Sequence, residues 1–400
     1  MRSHYDYLVI GAGIVGMATA YRIKQRQPNS TIAIIDKGAV PASYQTGRNS
    51  GVIHAGVYYP PGSLKAQYCR EGLEQTLAFC QQHQLPFKQC GKIIVATDDK
   101  EISGLETLIS RCEANDLKPQ SLTGAQINAL EPAIHVKAGF KVKQTGITDY
   151  GAITCCLLEK CKGLGRVDYF AQTEVININE NVGSVKLDVS AAGRRFNIQG
   201  AFLISCAGVY ADALIRKQGL TPDFRIVPFK GSYYRLPDKY NDLTSHLIYP
   251  VPDPKMPFLG VHLTRMIGGY TTIGPNAVLN VGRETYKGLS LSPKEWGHTF
   301  GNIGIWKLLL KHRGYALSEI SSAMSKRLYA EKVKKYCPML DATSFLPYRS
   351  GIRAQAISLE GELIHDFKFV STPLSVHVGN APSPAATSAF PIADAILSKI

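Results

Sequence analysis

The sequence lacks any run of apolar residues long enough to cross a bilayer, and it has no Cys-x-x-Cys pair and no tandem repeat. Because a membrane-spanning helix needs about 20 consecutive apolar residues, any membrane contact must be peripheral. The nine cysteines are an odd number without zinc-ligand spacing, which favours a reducing compartment and argues against a metal site. The first residues run directly into a strand pattern, so no targeting segment is expected. These absences predict a cytoplasmic protein that binds no metal.

Acidic residues are also scarce, because 31 Asp and Glu stand against 45 Lys and Arg, a formal net charge of +14. Such a charge attracts anionic metabolites, nucleic acid or acidic lipid without distinguishing among them. No zinc-finger, RNP or basic-helix motif is present, so a non-catalytic protein that binds nucleic acid is the weaker interpretation. With 400 residues and 45% hydrophobic content, the chain can bury a sizeable core and is not disordered as a whole.

A dinucleotide-binding pattern opens the chain. Residues 5–10 form an apolar strand pattern, residues 16–25 a helix pattern, and residues 31–35 a second strand pattern that ends at Asp36. A Gly-x-Gly-x-x-Gly motif follows the first strand, and its glycines allow a tight turn, close approach to a pyrophosphate and close helix packing. A glycine-rich turn without a ligand is the alternative, and the motif does not separate NAD from FAD. The predicted cofactor contacts are Gly11, Gly13, Ile14, Val15, Gly16, Asp36 and Lys37.

Two later segments favour a flavin. Near the C-terminus, Ser383 as N-cap and Pro384 as the first helical residue predict the start of a helix. The positive end of such a helix would stabilise the anionic edge of a reduced flavin, although an ordinary capped helix explains the same pattern. The loop 46–56 is rich in side-chain donors and glycines, which suit close contact with a ligand. The predicted contacts are Thr46, Arg48, Asn49 and Ser50 in the loop, and Pro382, Ser383, Ala385 and Ala386 near the C-terminus.

The order of patterns indicates how the chain is divided. Nucleotide-type strand and helix patterns occur at both ends, strand patterns dominate residues 229–273, and helix patterns dominate residues 296–336. Residues 196–198 and 201–206 are predicted to form separate strands. The class is α/β, and one domain is expected to assemble from separated segments with another inserted between them.

Several long motifs resemble those of a known family. They are QTGRNSGVIHAGVYYPPGSLKAQYC from Gln45, PFKGSYYRL from Pro228, IYPVPDPKMPFLGVHLTR from Ile248, TIGPNAVL from Thr272, GIRAQA from Gly351 and NAPSPAATSA from Asn380. Nearly the whole chain resembles the FAD-dependent L-2-hydroxyglutarate oxidases and dehydrogenases. These belong to the D-amino-acid-oxidase-like flavoproteins, together with glycine oxidase and glycerol-3-phosphate dehydrogenase.

The resemblance implies a fold and further cofactor contacts. A discontinuous, Rossmann-like FAD-binding domain would comprise residues 1–90, 150–220 and 345–400. An α+β substrate domain, built on a mixed and largely antiparallel sheet, would comprise residues 91–149 and 221–344. In such flavoproteins, the segment that matches residues 46–50 wraps the pyrophosphate and ribityl chain. The matching contacts elsewhere are Val175 at the adenine and Ala207 and Gly208 along the cofactor.

The resemblance also implies a reaction, the oxidation of L-2-hydroxyglutarate to 2-oxoglutarate by hydride transfer from C2 to flavin N5. Electrons would then pass to a quinone or to oxygen. A small dicarboxylate needs cationic or donor anchors, and Arg353 is the first candidate because a guanidinium grips a carboxylate with two hydrogen bonds. Lys230 and Tyr249 are secondary candidates. Oxidation of another small anion, such as glycerol 3-phosphate, an amino acid or another 2-hydroxy acid, is the alternative.

Two histidines are candidates for the base that accepts the hydroxyl proton, because a neutral imidazole can do so near neutral pH. His54 is favoured slightly, since its loop should be tied to the flavin. Strand alternation would place His262 on the same face as Gly260 and Phe258. A structural role is the alternative for either histidine.

One further segment is strongly basic. Residues 305–337 contain eight Lys or Arg and two Asp or Glu, interleaved with large apolar side chains. A solvated helix face is the simpler interpretation. The alternative is a basic amphipathic surface that docks on anionic lipid at the cytoplasmic face of the inner membrane and there passes electrons to a quinone.

Overall fold

The computed structural model describes residues 4–252, 260–288, 290, 292–301, 303–311 and 313–400. Its strands are β1 (Tyr5–Ile10), β2 (Ile32–Ile35), β3 (Val52–Ile53), β4 (Phe87–Lys88), β5 (Lys92–Ala96), β6 (Gln120–Thr123), β7 (Ala138–Val142), β8 (Gly146–Thr148), β9 (Val167–Phe170), β10 (Thr173–Asn181), β11 (Ser184–Ala191), β12 (Arg194–Ser205), β13 (Phe224–Gly231), β14 (Tyr234–Arg235), β15 (Leu247–Pro250), β16 (Leu263–Arg265), β17 (Thr271–Ile273), β18 (Val278–Leu279), β19 (Leu346–Pro347), β20 (Gly351–Ser358), β21 (Lys368–Thr372) and β22 (Ser375–Asn380). Its helices are α1 (Ile14–Arg26), α2 (Leu64–Gln82), α3 (Asp99–Ala114), α4 (Gly124–Leu130), α5 (Tyr150–Gly163), α6 (Ala211–Lys217), α7 (Pro293–Phe300), α8 (Ile303–Lys311), α9 (Arg313–Met324), α10 (Lys326–Lys334) and α11 (Ala389–Leu397).

The first large sheet joins the two ends of the chain. β1 pairs in parallel with β2 and β12, β2 pairs in parallel with β9, and β12 pairs in parallel with β22. All four residues of β2 are buried, as expected for a strand covered on both faces. α1 packs against α5 and the C-terminal α11. The carboxyl ends of β1, β2 and β12 therefore open at one edge of the sheet, where ligands bind in folds of this kind.

β12 is one continuous strand where the sequence predicts two, at residues 196–198 and 201–206. β12 pairs through its first half with β11 and through its second half with β1 and β22. The expectation of two strands was wrong, because residues 199 and 200 continue the strand between them. A Cβ at Gly200 would lie 2.7 Å from Leu8 Cγ, so this glycine permits close packing inside one long strand.

The second large sheet has the order β19-β14-β17-β16-β15-β5-β7-β6. Only its β15–β5 pair is parallel, which confirms the expected mixed and largely antiparallel sheet. Two small sheets, β18-β13-β20 and β3-β8-β4, lie beside the large ones. This distribution of strands supports the proposed division into a discontinuous cofactor domain and an inserted substrate domain, which remains a proposal.

The basic segment is helical, as its pattern predicts. Within it, Ile305 and Leu308 are buried, whereas Trp306 and Leu310 are 49% and 71% exposed. No helix among the described residues is long and apolar enough to span a bilayer.

Residues 253–259 lie outside the described part of the chain. They include Phe258, which was expected to share a face with His262.

Candidate active site

A cavity of about 800 Å³ lies where the two ends of the chain meet. This volume is in the upper part of the range of roughly 300–1,000 Å³ found for small-molecule and cofactor sites. Its wall includes the turn after β1, the loop before β3, the segment after β12 and the segment after β22. Segments from the two ends of the sequence, around Gly11 and around Pro382, therefore form one site, as the prediction of a cofactor held by both ends requires.

The glycine turn leaves no space for side chains on the cavity floor. Gly11 has φ +104°, and a Cβ there would lie 2.4 Å from Cys206 O. A Cβ on Gly16 would lie 1.9 Å from Gly11 O, so the third glycine brings α1 against the turn and does not itself line the cavity. α1 begins at Ile14, with Gly13 at its N-cap, and Ile14 N, the first of its N–H groups, donates to Thr46 Oγ1. The N–H groups of the next residues in the first turn therefore provide the anion-binding end that a pyrophosphate needs.

Asp36 directly follows β2 on the cavity wall, at the position where an acidic residue of such folds accepts a hydrogen bond from a ribose hydroxyl. Its carboxylate accepts hydrogen bonds from Ala12 N and Gly38 N, both at 2.6 Å. Burial raises the pKa of Asp36, and these two hydrogen bonds oppose that shift. Each carboxylate oxygen keeps a second lone pair for a ligand hydroxyl.

Lys37 lies beside Asp36 on the cavity wall. Its ammonium forms an ion pair with Glu284 and lies 3.6 Å from the centroid of the Tyr210 ring. Tyr210 and Glu284 also line the cavity. The segment around Glu284, distant in sequence from the glycine turn, therefore covers the nucleotide end of the site.

The loop before β3 is held in shape by its own polar groups. Thr46 Oγ1 accepts a hydrogen bond from Ile14 N at 3.0 Å, and Asn49 Nδ2 donates to Thr46 O at 2.7 Å. Arg48 stacks on the Tyr286 ring at 4.1 Å and donates to Ser350 O at 3.4 Å. This loop is thus fixed both to the helix that faces the phosphates and to the segment that leads into β20.

The last helix begins later than Ser383 and Pro384 predict. Residues 383–388 form turns, with Ala385 N donating to Pro382 O and Ser388 N to Pro384 O, and α11 starts only at Ala389. The predicted helix start was wrong because these turns satisfy the backbone groups that a helix would use. Pro391, in the first turn of α11, is the sequence signal for the true start. Backbone and side chains of the turn, rather than a helix end, therefore face the cavity.

Thr387 joins this turn to the middle of the chain. Its hydroxyl accepts a hydrogen bond from His54 N at 3.1 Å and pairs with Tyr150 OH at 2.9 Å. A Cβ on Gly72 of α2 would lie 2.2 Å from Thr387 O, so the helix packs directly on the turn. His54 is therefore fixed beside the C-terminal segment, as its loop predicts.

The other end of the cavity contains the predicted substrate and base residues. Arg353 lies in β20, Tyr249 lies in β15, and His262 directly precedes β16. Ile248 pairs with Leu263 in antiparallel register, which makes Tyr249 and His262 neighbours across the two strands. Their rings stack with centroids 3.8 Å apart.

The hydrogen bond of His262 fixes its tautomer. Nδ1 lies 3.0 Å from Gly260 O, and because a carbonyl oxygen only accepts, Nδ1 carries the proton and donates it. The neutral ring then has an acceptor at Nε2. The pKa of His262 is lowered to about 3, chiefly by burial and also by the charges of Lys92 and Arg353, while the Gly260 hydrogen bond opposes the shift.

His54 is neutral for related reasons. Burial lowers the pKa of His54 well below its usual value, and the charges of Lys92, Arg353 and Lys65, with His262, lower it further. The end of the cavity that holds both histidines is therefore positive, and it suits a substrate with negative charge.

Most predicted residues share this one cavity. Those that line it are Gly11, Gly13, Ile14, Val15, Asp36, Lys37, Thr46, Arg48, Asn49, Ser50, His54, Val175, Ala207, Gly208, Tyr249, His262, Arg353, Pro382, Ser383, Ala385 and Ala386.

Lys230, expected at the substrate, does not line the cavity. Gly231 does, and because side chains alternate along β13, Lys230 points to the opposite face, where its ammonium lies 3.4 Å from Gly288 O. This position does not favour a contact between Lys230 and substrate, which stays a prediction.

Sequence reasoning missed several residues at this site. Lys65, Arg111, Tyr58 and Tyr233 line the cavity, and Lys92 is buried directly behind Tyr249. Lys65 lies within the motif that begins at Gln45, and Lys92 begins the otherwise apolar strand KIIVA, which is a usable signal. Among the described residues, no group of three or more His, Cys, Asp or Glu could hold a metal ion.

Comparison with known families gives the class of protein. The family model described as FAD dependent oxidoreductase matches residues 6–398, and the chain belongs to this family. The cofactor is FAD, and the glycine turn fits it. A Cβ at Gly11 or Gly16 would collide with backbone oxygens of Cys206 or Gly11, so only glycine allows the tight turn that brings the helix N-terminus to a pyrophosphate.

Particular relatives narrow the comparison. The chain is 43% identical over 396 residues to the L-2-hydroxyglutarate dehydrogenase of Escherichia coli (strain K12), covering 99% of this chain and 93% of the relative. It is 34% identical over 411 residues to the mitochondrial L-2-hydroxyglutarate dehydrogenase of Homo sapiens, covering 100% and 89%. Its fold is similar to that of L-alpha-glycerophosphate oxidase from Mycoplasma pneumoniae with FAD bound, with a TM-score of 0.81, 23% identity and coverage of 99% and 94%.

Proposed function

We propose that this protein oxidises L-2-hydroxyglutarate to 2-oxoglutarate with bound FAD. The observation that carries the proposal is one cavity with a dinucleotide cradle at one end and, at the other, a guanidinium and two imidazoles held neutral. Full-length similarity to dehydrogenases named for this substrate supports the choice among small anions.

In this proposal Arg353 binds the substrate and His262 accepts its proton. Arg353 binds the carboxylate next to C2 through two parallel hydrogen bonds, which fixes the C2–H bond in direction. His262 Nε2 accepts the proton of the C2 hydroxyl, because Nδ1 already donates to Gly260 O. FAD supplies the acceptor for the hydride that leaves C2 with its electron pair. The C2–O bond becomes a carbonyl, so two electrons and two protons leave the substrate in balance.

The test is anaerobic reduction of the purified holoenzyme by L-2-hydroxyglutarate. We expect the oxidised flavin absorption to bleach with the L-isomer and to persist with the D-isomer. Glycerol 3-phosphate, 2-hydroxybutyrate and L-amino acids serve as parallel arms. Bleaching by one of these and not by L-2-hydroxyglutarate would replace the proposed substrate, while preserving the flavin chemistry.

We also propose that electrons leave to a quinone at an anionic membrane surface, at the cytoplasmic face of the inner membrane, with oxygen as the other acceptor. Support comes from α8, where Trp306 and Leu310 are exposed beside Lys307 and Lys311. Apolar side chains flanked by lysines suit the boundary between lipid headgroups and acyl chains. This exposed face of α8 is the feature that favours a quinone over oxygen as the electron acceptor.

Vesicle sedimentation tests the membrane proposal. The protein should pellet with phosphatidylglycerol vesicles at low salt, should release at high salt, and should not pellet with phosphatidylcholine alone. Leu310→Ser should weaken pelleting, whereas Leu164→Ser, at a leucine that is 49% exposed on another surface, should not. Equal pelleting of both variants, or none by the wild type, would remove the membrane from the proposal.

A further inference from the structure

Lys92 is a buried lysine with no carboxylate partner among the described residues. It is 1% exposed, and its ammonium faces aromatic rings, with the Tyr249 centroid at 4.0 Å and the Tyr58 centroid at 5.3 Å. An ammonium moved from water into such surroundings loses favourable hydration, and the loss is large unless another charge compensates it. Cation–π contacts return only part of that loss.

The groups around Lys92 supply no negative charge. The titratable groups that face it are Cys69 of α2, Cys112 of α3, Cys90 before β5, Tyr58, Tyr249, His54 and His262. Burial raises the pKa of Cys69 and of Cys112 to about 12, so both thiols stay protonated. The histidines are neutral or positive. The uncompensated charge of Lys92 therefore acts on the cavity in front of it.

Lys92 is connected to the reacting end of that cavity through a stack of three groups. Its ammonium lies over one face of the Tyr249 ring, and the His262 imidazole lies on the ring at 3.8 Å. The register of the sheet produces this order, because Lys92 pairs with Leu247 in β15 and Ile248 pairs with Leu263 beside His262. Tyr249 and His262 line the cavity, whereas Lys92 lies behind them.

We propose that Lys92 is a positioning residue that holds the Tyr249 ring against His262 and supplies buried positive charge, which a doubly negative substrate compensates. Arg353, Lys65 and Arg111 provide positive charge at the cavity wall, and Lys92 adds buried positive charge behind Tyr249, which makes a second negative charge on the ligand more favourable. The site then distinguishes a dicarboxylate from a monocarboxylate of similar length. This inference rests on the proposed function for the identity of the substrate, but its test uses ligands that do not react.

The first experiment measures the affinity of the oxidised holoenzyme for glutarate and for butyrate. The change in flavin absorption reports the binding. Lys92→Met keeps the approximate length of the side chain and removes its charge. This substitution should lower the affinity for glutarate about tenfold or more and should change the affinity for butyrate little. Lys92→Arg should retain the preference for glutarate. The matched control is Lys24→Met, at a second lysine that is fully buried among the described residues and whose ammonium donates to Ser30 O at 2.9 Å in the N-terminal unit. A Lys92→Met holoenzyme that keeps the glutarate preference overturns the proposal.

The second experiment needs no change at Lys92. Burial lowers the pKa of Lys92 to about 8, so its charge is present below pH 8 and lost above it. Glutarate affinity should therefore fall as pH rises through about 8, while butyrate affinity changes less. Lys65 also has a pKa of about 8, lowered by burial, so the series is run in Lys65→Arg, whose guanidinium stays charged. A flat glutarate affinity from pH 7 to 9 in this variant overturns the proposal even if Lys92→Met does not fold.

These outcomes are separate from failure of the proposed function. If L-2-hydroxyglutarate does not bleach the wild-type flavin, the substrate assignment fails. The glutarate preference and its loss in Lys92→Met still decide the role of Lys92.

Discussion

At the scale of single residues, His262 and His54 make different predictions although both line the cavity. His262→Gln removes the nitrogen proposed to accept the hydroxyl proton, so anaerobic flavin reduction should slow by roughly 10²- to 10⁴-fold. His54→Gln is the matched control and should slow the same step much less, since His54 contacts Thr387 through its backbone N–H and the substitution leaves that hydrogen bond in place. Stopped-flow absorbance under saturating substrate measures both. A larger loss in His54→Gln would transfer the role of base to His54.

The pH dependence of kcat/KM follows from the neutral state of His262 in the free enzyme. Burial lowers the pKa of His262 to about 3, so the base is deprotonated above that pH and becomes inactive only as pH falls through it. We therefore expect no acidic decline in kcat/KM between pH 7.5 and 5 from this residue. An ordinary histidine would produce a decline near its usual value of about 6.5. Steady-state assays across this range distinguish the two, and a decline centred near 6.5 would contradict the assignment.

Individual cofactor contacts could be predicted from the sequence where the chemistry is local. The glycines of the first turn and Asp36 lie together because strand, turn and helix are consecutive in the chain. Lys92 and Glu284 could not be assigned in this way, since Lys92 comes to lie behind the cavity wall, and Glu284 on it, through pairing or packing between distant segments. The position of Lys230 could not be predicted for a similar reason. Its motif indicates a site, but only the register of β13 decides which face of the strand a side chain occupies.

At the scale of elements, contact between β20 and the 3-10 helix Gln45–Arg48 shapes the cavity wall and is sensitive to one added methyl group. A Cβ on Gly351 would lie 2.4 Å from Arg48 O, a backbone atom that cannot rotate away. Gly351→Ala should therefore displace the loop and lower FAD retention after gel filtration, measured by the ratio of flavin to protein absorbance. Gly163→Ala, in α5 with nothing within 4 Å of the added Cβ, is the matched control. Equal flavin content in both variants would show that the wall tolerates the shift.

Element boundaries were harder to predict than element types. Gly200 and Ser383-Pro384 both carry ordinary boundary signals, yet the first lies inside β12 and the second lies in turns before α11. In each case a contact from another part of the fold overrides the local preference. Leu8 packs on Gly200, and α2 packs on the turn at Thr387. Local patterns do not contain these partners, whereas the long apolar periodicities that predict α1, α2 and β2 do not depend on them.

At the scale of the whole molecule, FAD should act as a cross-link between the first and last segments of the chain. Both segments line one cavity, so the ligand binds the folded chain and not the unfolded one. A free ligand at 100 times its Kd then stabilises the fold by about 2.7 kcal/mol. ADP would occupy only the nucleotide end, near Asp36 and Lys37, and would leave the turn 382–387 without its partner. Thermal unfolding of flavin-depleted protein should therefore give a higher Tm with FAD than with ADP at the same free concentration, because FAD contacts both segments and ADP contacts only the first. Hydrogen exchange at Ala385 and Thr387 reports that opening directly, and equal protection with ADP and with FAD would mean that the C-terminal segment is ordered without the flavin ring.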